Sequence, residues 1–396
     1  MKNKCALIIW TGDWPWDIRI EKEMKTFQKN GYDVSICARN SKNLPVFEYM
    51  DNISIYRFFN LFKKNTLVSN ILSTPFYINP LWFIHILTTI LKSKPDIIIV
   101  RDIPLFLTCD FLAKLFKIKI VLDVAEHWPA QIKVNKKYVN NWFTELLFCK
   151  LDWYKHIEKK SVQKADKIWV VVEEQKERIV NEHNVNKDKI SVVSNTPYKD
   201  ILSEHSVLSD DNILKIVYTG GIDAPFRGIQ TVVEAAKILN TKNNKNIVFS
   251  LIGDGQYLNY YKEIAEKNKL YNIKFIGRKP YSEVLNYLKT QDIGIVPHVK
   301  CDIIDYTIPN KLFDYMAISL PVIVSSAKPL KRIVEETSCG YVFESENAKS
   351  LADLLIQISD NKQELKIKAK NGFEAVKEKY NWENDEQNIL LTLNEL

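Results

Sequence analysis

Short runs of β-branched and aliphatic residues alternate with amphipathic segments along the whole chain, and this alternation limits the fold more than any other feature. In the first half the runs are ALIIW (6–10), DVSICAR (33–39), ISIYRF (53–58), DIIIVRD (96–102), KIVLDVA (119–125), KIWVVV (167–172) and ISVVSN (190–195). In the second half they are LKIVYTG, NIVFSLIG, NIKFIG, DIGIVPH, PVIVSS and GYVFE. Unbroken apolar runs are buried on both faces, and crossover helices between them imply parallel sheets. Two such series in 396 residues predict an α/β chain of two Rossmann-like, doubly wound domains facing a central cleft.

The polar stretch PYKDILSEHSVLSDDN (197–212) separates the two series. It sets the expected boundaries: a first domain over 1–197, a linker over 198–213, and a second domain over 214–378. A final helix over 379–396 is expected to return toward the first domain. Residues 17–30 have helical spacing, with Asp17 as N-cap and Gly31 just past the end. The apolar stretch 71–94 carries two prolines, an Asn and a His, which leaves too short a clean run for a membrane span. It reads as a buried crossover helix. An interfacial segment is the alternative, because 56–65 and 133–143 also mix aromatics with lysines.

Six cysteines stand far apart, with no Cys-x-x-Cys and no zinc-type spacing, as expected of buried thiols in a reducing compartment. The opening apolar run is too short for a signal-peptide core, which points to a cytoplasmic protein. Residues 1–200 hold 31 Lys+Arg against 22 Asp+Glu, or +9, whereas the remainder holds 24 against 26, or −2. A basic first half suggests an anionic surface or ligand, such as the inner face of a membrane; lysines on solvated faces are the plainer alternative. No nucleic-acid-binding motif accompanies the charge.

Three motifs sit where strands end and helices begin. In YTGGIDAPFRG (218–228), Gly220 and Gly221 permit close backbone approach, and Arg227 offers a fork suited to a diphosphate. A tight turn with a surface arginine would read the same way. In SLIGDGQY (250–257), Gly253 and Gly255 lack the third glycine of a dinucleotide fingerprint, and no acid ends the next strand. A nicotinamide or flavin site is therefore disfavoured, and a turn remains. In TIPNKLFDYMAISLP (307–321), Pro309 opens a helix, Asn310 and Lys311 sit at its start, and Lys311 can neutralise phosphate. Asp314, one turn on, can accept from a vicinal diol such as a ribose, or simply complement the helix dipole.

The ordered set YTGGI…FRGIQTVVEAAKIL, LIGDGQ, KFIGRKPYSEV…DIGIVPH, TIPNKLFDYMAISLPVIVS and GYVFE…LADLL resembles the C-terminal domain of family-four retaining glycosyltransferases with the GT-B fold. DIRIEKEMKTFQKNGYDV, VLDVAEHWPAQI and KADKIWVVVEEQKERI…ISVVSNTP resemble the N-terminal domain of members that build bacterial surface polysaccharides. The resemblance implies a nucleotide-sugar donor, a glycan or lipid-linked acceptor, retention of anomeric configuration and no metal or other cofactor. It places the ribose on Asp314, the base beside Gly277 and Arg278, and the diphosphate on Gly220, Gly221, Arg227 and Lys311. Pro309, Asn310 and Gly253 complete the donor side.

The family's first carboxylate, eight positions before Asp314, falls at Tyr306, and Asp305 next to it is the substitute. On the acceptor side the expected residues are Gly12, Asp13 and Arg19 around the loop TGDWPWD, with Asp102 and Glu126 at strand ends. Trp14 and Trp16 either stack on sugars or pack against the domain. The family's histidine position is Ala125, and His127 is not given its role. Glu126 is then the residue expected to hold the acceptor hydroxyl. A sugar-nucleotide epimerase and a non-catalytic sugar-nucleotide-binding scaffold are the alternatives.

Overall fold

The computed structural model of the chain describes residues 3–15, 17–59, 77, 79–134, 153–204, 212–242, 244 and 246–396. Two units emerge, Met1–Val193 with Glu386–Leu396, and Ser194–Asp385.

The first unit holds an eight-stranded sheet of β1 (Lys4–Asp13), β2 (Tyr32–Arg39), β3 (Phe47–Met50), β4 (Ile53–Arg57), β5 (Ile97–Arg101), β6 (Lys119–Val124), β7 (Lys167–Val170) and β8 (Ile190–Val192). Its order is β3-β4-β2-β1-β5-β6-β7-β8, parallel throughout except between β3 and β4. Seven of these strands coincide with the apolar runs of the sequence. The edge strand β3, FEYM, does not, because three of its four residues are exposed and leave no burial pattern to read.

The helices of this unit are α1 (Ile18–Lys29), α2 (Pro80–Ser93), α3 (Phe106–Phe116), α4 (Trp128–Val134), α5 (Trp153–Lys164) and α6 (Glu173–His183). Asp17 caps α1 by accepting from the amides of Arg19 and Ile20, both at 3.0 Å, and Gly31 follows with φ 79°. α2 is a crossover helix that buries Trp82, Ile86 and Ile90 on its inner side. Among the described residues no helix is long and apolar enough to cross a membrane. Cys5, Cys37, Cys109 and Cys339 are free and buried, and Cys301 is half-buried; Cys149 lies outside the described residues.

A buried ion network clamps this unit together. Asp123 of β6 accepts from Arg19 Nη2 at 2.6 Å and Nε at 3.0 Å, and from Arg101 Nη1. Arg19 also pairs with Glu23 at 3.1 Å and donates to the Val193 carbonyl at 2.7 Å. Burial alone would raise the Asp123 pKa, but the two guanidiniums outweigh it and hold the carboxyl at about 2. The network joins α1 to β5, β6 and the residue after β8.

The second unit holds β9 (Leu214–Thr219), β10 (Ile247–Ile252), β11 (Ile273–Gly277), β12 (Ile293–Val296), β13 (Val322–Ser325) and β14 (Gly340–Phe343), in the order β11-β10-β9-β12-β13-β14. Every pair is parallel. The helices are α7 (Ile229–Thr241), α8 (Leu258–Lys267), α9 (Tyr281–Leu288), α10 (Asn310–Ala317), α11 (Lys328–Thr337), α12 (Ala348–Asp360) and α13 (Gln363–Glu378). A last helix, α14 (Trp382–Asn394), starts in this unit, and its residues from Glu386 belong to the first.

Strand order reverses between β9 and β12, the point at which doubly wound sheets leave a crevice for ligands. These two strands pair only at Ile216/Ile293 and Val217/Gly294. Beyond that, the Thr219 amide donates to the Tyr315 hydroxyl of α10 at 2.9 Å. Gly294 makes room for this helix: a Cβ there would lie 2.3 Å from the Tyr315 ring.

The second unit begins at Ser194, earlier than the sequence suggested. The Ser194 amide donates to Asp385 at 2.9 Å and the Trp382 amide to the Pro197 carbonyl at 2.7 Å, contacts between distant residues that no local pattern encodes. Residues 205–211 of the expected linker lie outside the described residues.

Replacing Asp123 with Asn should destabilise the chain by about 3–5 kcal/mol, because two buried arginines lose their counter-charge. The depressed pKa makes this contribution complete above about pH 4 and lost as pH falls toward 2. Denaturant titrations of both proteins at pH 7 and pH 3 check the loss and its narrowing in acid.

Candidate functional site

All the loops that follow β9, β10, β11 and β12 emerge at one edge of the second sheet, and backbone contacts knit them together. The Gly220 amide donates to the Ile252 carbonyl at 2.9 Å, Ile222 to Asp254 at 2.9 Å, and Gly253 to Gly277 at 3.0 Å. A Cβ on Gly253 would lie 1.8 Å from the Gly220 oxygen, and the residue holds φ 152°. Gly253 is therefore a glycine because two loops touch there. Gly277 (φ 81°) ends β11, and Arg278 beyond it is exposed.

Lys311 occupies the centre of this edge. α10 starts with Pro309 as its N-cap residue and no side-chain cap, and Asn310 is half-buried at its first position. The Lys311 ammonium is buried, has no hydrogen-bond partner among the described residues, and lies 3.8 Å from the centroid of the Tyr218 ring. A Cβ on Gly220 would meet that ammonium at 2.6 Å, so the absence of a side chain at Gly220 leaves the space the charge occupies. The neighbouring Gly221 accepts from the Tyr218 hydroxyl at 2.7 Å through its carbonyl.

An aromatic face recovers about 2 kcal/mol for a desolvated cation, whereas the loss of water costs several. Burial first, and the charge of Arg227 second, push the Lys311 pKa well below its ordinary value. His298, after β12, is buried with neither ring nitrogen bonded among the described residues. Its pKa is also well down, through burial and then the charges of Lys311 and Arg227.

Arg227 closes the short turn Pro225–Arg227 before α7 and is half-exposed. Its Nε donates to Asp223 at 3.0 Å, and its guanidinium lies 5.3 Å from the centroid of the Phe226 ring. Asp314 is half-buried one turn into α10, and its charge is felt by Lys311 and by Tyr281 of α9, whose phenol pKa burial has already raised. The arrangement thus joins two cations, one of them buried without a hydrogen-bond partner among the described residues, to glycine-lined backbone and a carboxylate one helical turn away. Such an edge suits a ligand with a diphosphate and a diol.

Sequence reasoning missed Tyr218, Asp223 and His298. A tyrosine one residue before the Thr-Gly-Gly turn closes was the available signal for the first.

Asp305, the suggested substitute for the carboxylate absent at Tyr306, is otherwise engaged. It is buried and accepts from the Lys328 amide at 2.9 Å at the start of α11. The free amides of a helix end attract a carboxylate, and this one caps α11 in place of facing a ligand.

In the first unit, Gly12, Asp13, Asp102 and Glu126 lie at the C-terminal ends of β1, β5 and β6, around the β1/β5 reversal of strand order. Gly12 leaves room for the Trp10 indole, which a Cβ at that position would approach to 2.6 Å, and Asp13 accepts from the Ser41 amide at 2.6 Å. Asp102 adopts a left-handed φ of 63° and accepts from the Ala125 amide at 3.2 Å. Burial, against the pull of Arg101 and helped by the Glu126 charge, raises its pKa to about 7. Glu126 is exposed and bonds Gln131. Arg19 is corrected from an acceptor-side residue to a structural one: its guanidinium is consumed by Asp123, Glu23 and the Val193 carbonyl. Trp14 is buried in the unit, as packing requires, and Trp16 lies outside the described residues.

Residues 20–196 match the Glycosyltransferase Family 4 domain and residues 204–375 the Glycosyl transferases group 1 domain. Two uncharacterized glycosyltransferases of Methanocaldococcus jannaschii are similar. One is 27% identical over 41% of this chain and 43% of its own length. The other is 23% identical over 96% of each. Among solved structures, sucrose-phosphate synthase from Thermosynechococcus elongatus superposes with a TM-score of 0.79 at 16% identity, over 100% of this chain and 99% of that one. Anabaena HepE in complex with UDP gives 0.71 at 11% identity, over 99% and 100%.

Lys311→Met should unfold at a higher temperature than the unsubstituted chain at pH 7, since it removes an amine whose charged form burial disfavours. A lysine whose folded pKa lies below its unfolded value subtracts stability below pH 10.5, increasingly so as pH falls toward the folded pKa. The gap should therefore close as pH approaches 10.5. Equal melting temperatures at pH 7 would refute the account.

Proposed function

The chain is a glycosyltransferase of the GT-B type, and from that premise we propose that it transfers a hexose from a nucleoside diphosphate to a hydroxyl of a lipid-linked glycan, with retention, in surface polysaccharide synthesis. The observation that carries this reading is the Lys311 ammonium, buried beside Gly220 with no hydrogen-bond partner among the described residues. A donor diphosphate would restore its charge balance.

As the bond from the anomeric carbon to the diphosphate breaks, its electron pair moves to the leaving oxygen. Lys311, Arg227, the glycine amides and the uncapped start of α10 would offset that charge because they are already oriented. No metal is required for this stabilisation. The acceptor hydroxyl would form the new bond on the same face and pass its proton to the departing diphosphate. Asp314 would hold the ribose, and Gly277 and Arg278 would border the base. Acceptor contacts fall to Gly12, Asp13, Asp102 and Glu126. Of the last two, exposed Glu126 is the better placed to meet a hydroxyl, and the pocket of Asp102 supports a carboxyl that keeps its proton near neutrality.

The donor is identified by thermal shift with UDP-, GDP-, dTDP- and ADP-sugars. A correct donor at about a thousandfold excess over its dissociation constant adds about 4 kcal/mol of stability. Arg227→Ala should weaken that donor roughly 100-fold by calorimetry, as loss of about 3 kcal/mol of charge-assisted hydrogen bonding predicts. Undiminished affinity removes Arg227 from the mechanism, and the absence of any nucleotide shift removes the donor site.

A further inference from the structure

His298 stands just past the end of β12 on a backbone held from two sides. The Val299 amide donates to the Phe226 carbonyl at 2.9 Å, and the Ser325 hydroxyl at the end of β13 donates to the His298 carbonyl. Gly228, at φ 74°, lets the Arg227 turn close on this segment, since a Cβ there would lie 1.7 Å from the Pro297 oxygen. The His298 residue is 1% exposed, and neither ring nitrogen has a hydrogen-bond partner among the described residues. A polar atom buried and unbonded is costly, and here two sit on one ring. The charges of Lys311 and Arg227 act on that ring, which places it with the two cations of the donor edge.

What the ring can bond follows from its protonation. Burial, and then those two charges, disfavour the imidazolium, so the ring is neutral, with one N–H donor and one bare acceptor nitrogen. A diphosphate only accepts, and Lys311, Arg227 and the glycine amides already supply donors for it. The acceptor nitrogen of His298 calls instead for a ligand group that carries a proton. Carboxylates of this unit that could take such a group are engaged: Asp223 accepts from Arg227, and Asp305 from the Lys328 amide. Asp314 is the group assigned to the ribose. A sugar hydroxyl can give its proton to one ring nitrogen or take one from the other, and it is the part of a sugar nucleotide that matches this ring.

We propose that His298 is a specificity-determining residue that hydrogen-bonds a hydroxyl of the transferred sugar, so that the chain selects donors bearing a free hydroxyl at that point. This role rests on the donor reading above and deepens it, by giving the sugar a contact of its own at the end of β12. A site built to bond a hydroxyl rejects the analogue that lacks it, because its polar groups are then left unpaired.

The test is calorimetry on the full chain with UDP, GDP, dTDP and ADP, each against its sugar conjugates. The conjugates are UDP-glucose, UDP-galactose, GDP-mannose, dTDP-glucose and ADP-glucose, and the one bound most tightly is carried forward. His298→Phe should weaken that conjugate about tenfold, as loss of one hydrogen bond predicts, and leave the free nucleoside diphosphate unchanged. His298→Gln keeps a donor and an acceptor and should recover most of the loss. The unsubstituted chain, carrying isotope-labelled histidine, provides a readout that needs no variant to bind ligand. There the conjugate should move the ring-nitrogen resonances of one imidazole further than the free diphosphate does, and His298→Gln should lack that signal. Equal shifts from the two ligands overturn the proposal. So does an equal loss for conjugate and diphosphate, undiminished conjugate binding by the Phe variant, or a Gln variant as weak as the Phe variant, which would mean that bulk is read in place of hydrogen bonding. If no nucleotide binds the unsubstituted chain, the donor reading falls and this role with it, an outcome distinct from the others.

Discussion

Parallel pairing of β9 with both β10 and β12 is the constraint on which the second unit depends. In a parallel sheet every strand ends at the same edge, so loops far apart in sequence are delivered to one place. Here that edge gathers Gly220, Arg227, Gly253, Gly277, His298 and Lys311 from residues spread over more than ninety positions. The close contact of Gly253 with the Gly220 carbonyl then fixes the loops against one another, and a side chain at Gly253 would force them apart.

The two units treat buried cations in opposite ways. Arg19 and Arg101 are desolvated, but Asp123 and Glu23 face them, and the charges are paired within the unit. Lys311 is desolvated over an aromatic face, with no hydrogen-bond partner among the described residues and only the charges of Asp223 and Asp314 acting against burial and Arg227. Its ammonium makes no hydrogen bond within the described residues, and Asp223 and Asp314 offset burial only in part. A fold tolerates such a deficit where something from solution is to supply the missing charge, as perturbed groups in clefts generally indicate. Binding affinity at that point is set by how much desolvation has already been suffered before the ligand arrives.

Much of this was legible in the sequence because parallel strands buried on both faces announce themselves as unbroken apolar runs. Thirteen such runs coincide with strands, and among the described residues only the exposed edge strand β3 escaped. Glycines and prolines at strand ends likewise pointed to the loops that carry Arg227 and Lys311. What could not be read was partnership at long range. Nothing near Arg19 reveals that Asp123, more than a hundred residues away, consumes its guanidinium, or that Asp305 serves the amide of Lys328. The isolation of His298 and the ring of Tyr218 under an ammonium are also properties of assembled neighbours. Periodicity reports which face is buried and is silent about which charges meet there.

The hydroxyl of Tyr315 has one further mechanical meaning. It takes the Thr219 amide where β12 no longer accompanies β9, so a side chain of α10 completes a ladder that the backbone leaves unfinished. Since Lys311 and Asp314 ride on that same short helix, any roll about its axis would tear this rung. The helix is keyed to the strand like a cog to its shaft, and the cation and the carboxylate keep a fixed phase relative to the Gly220 turn.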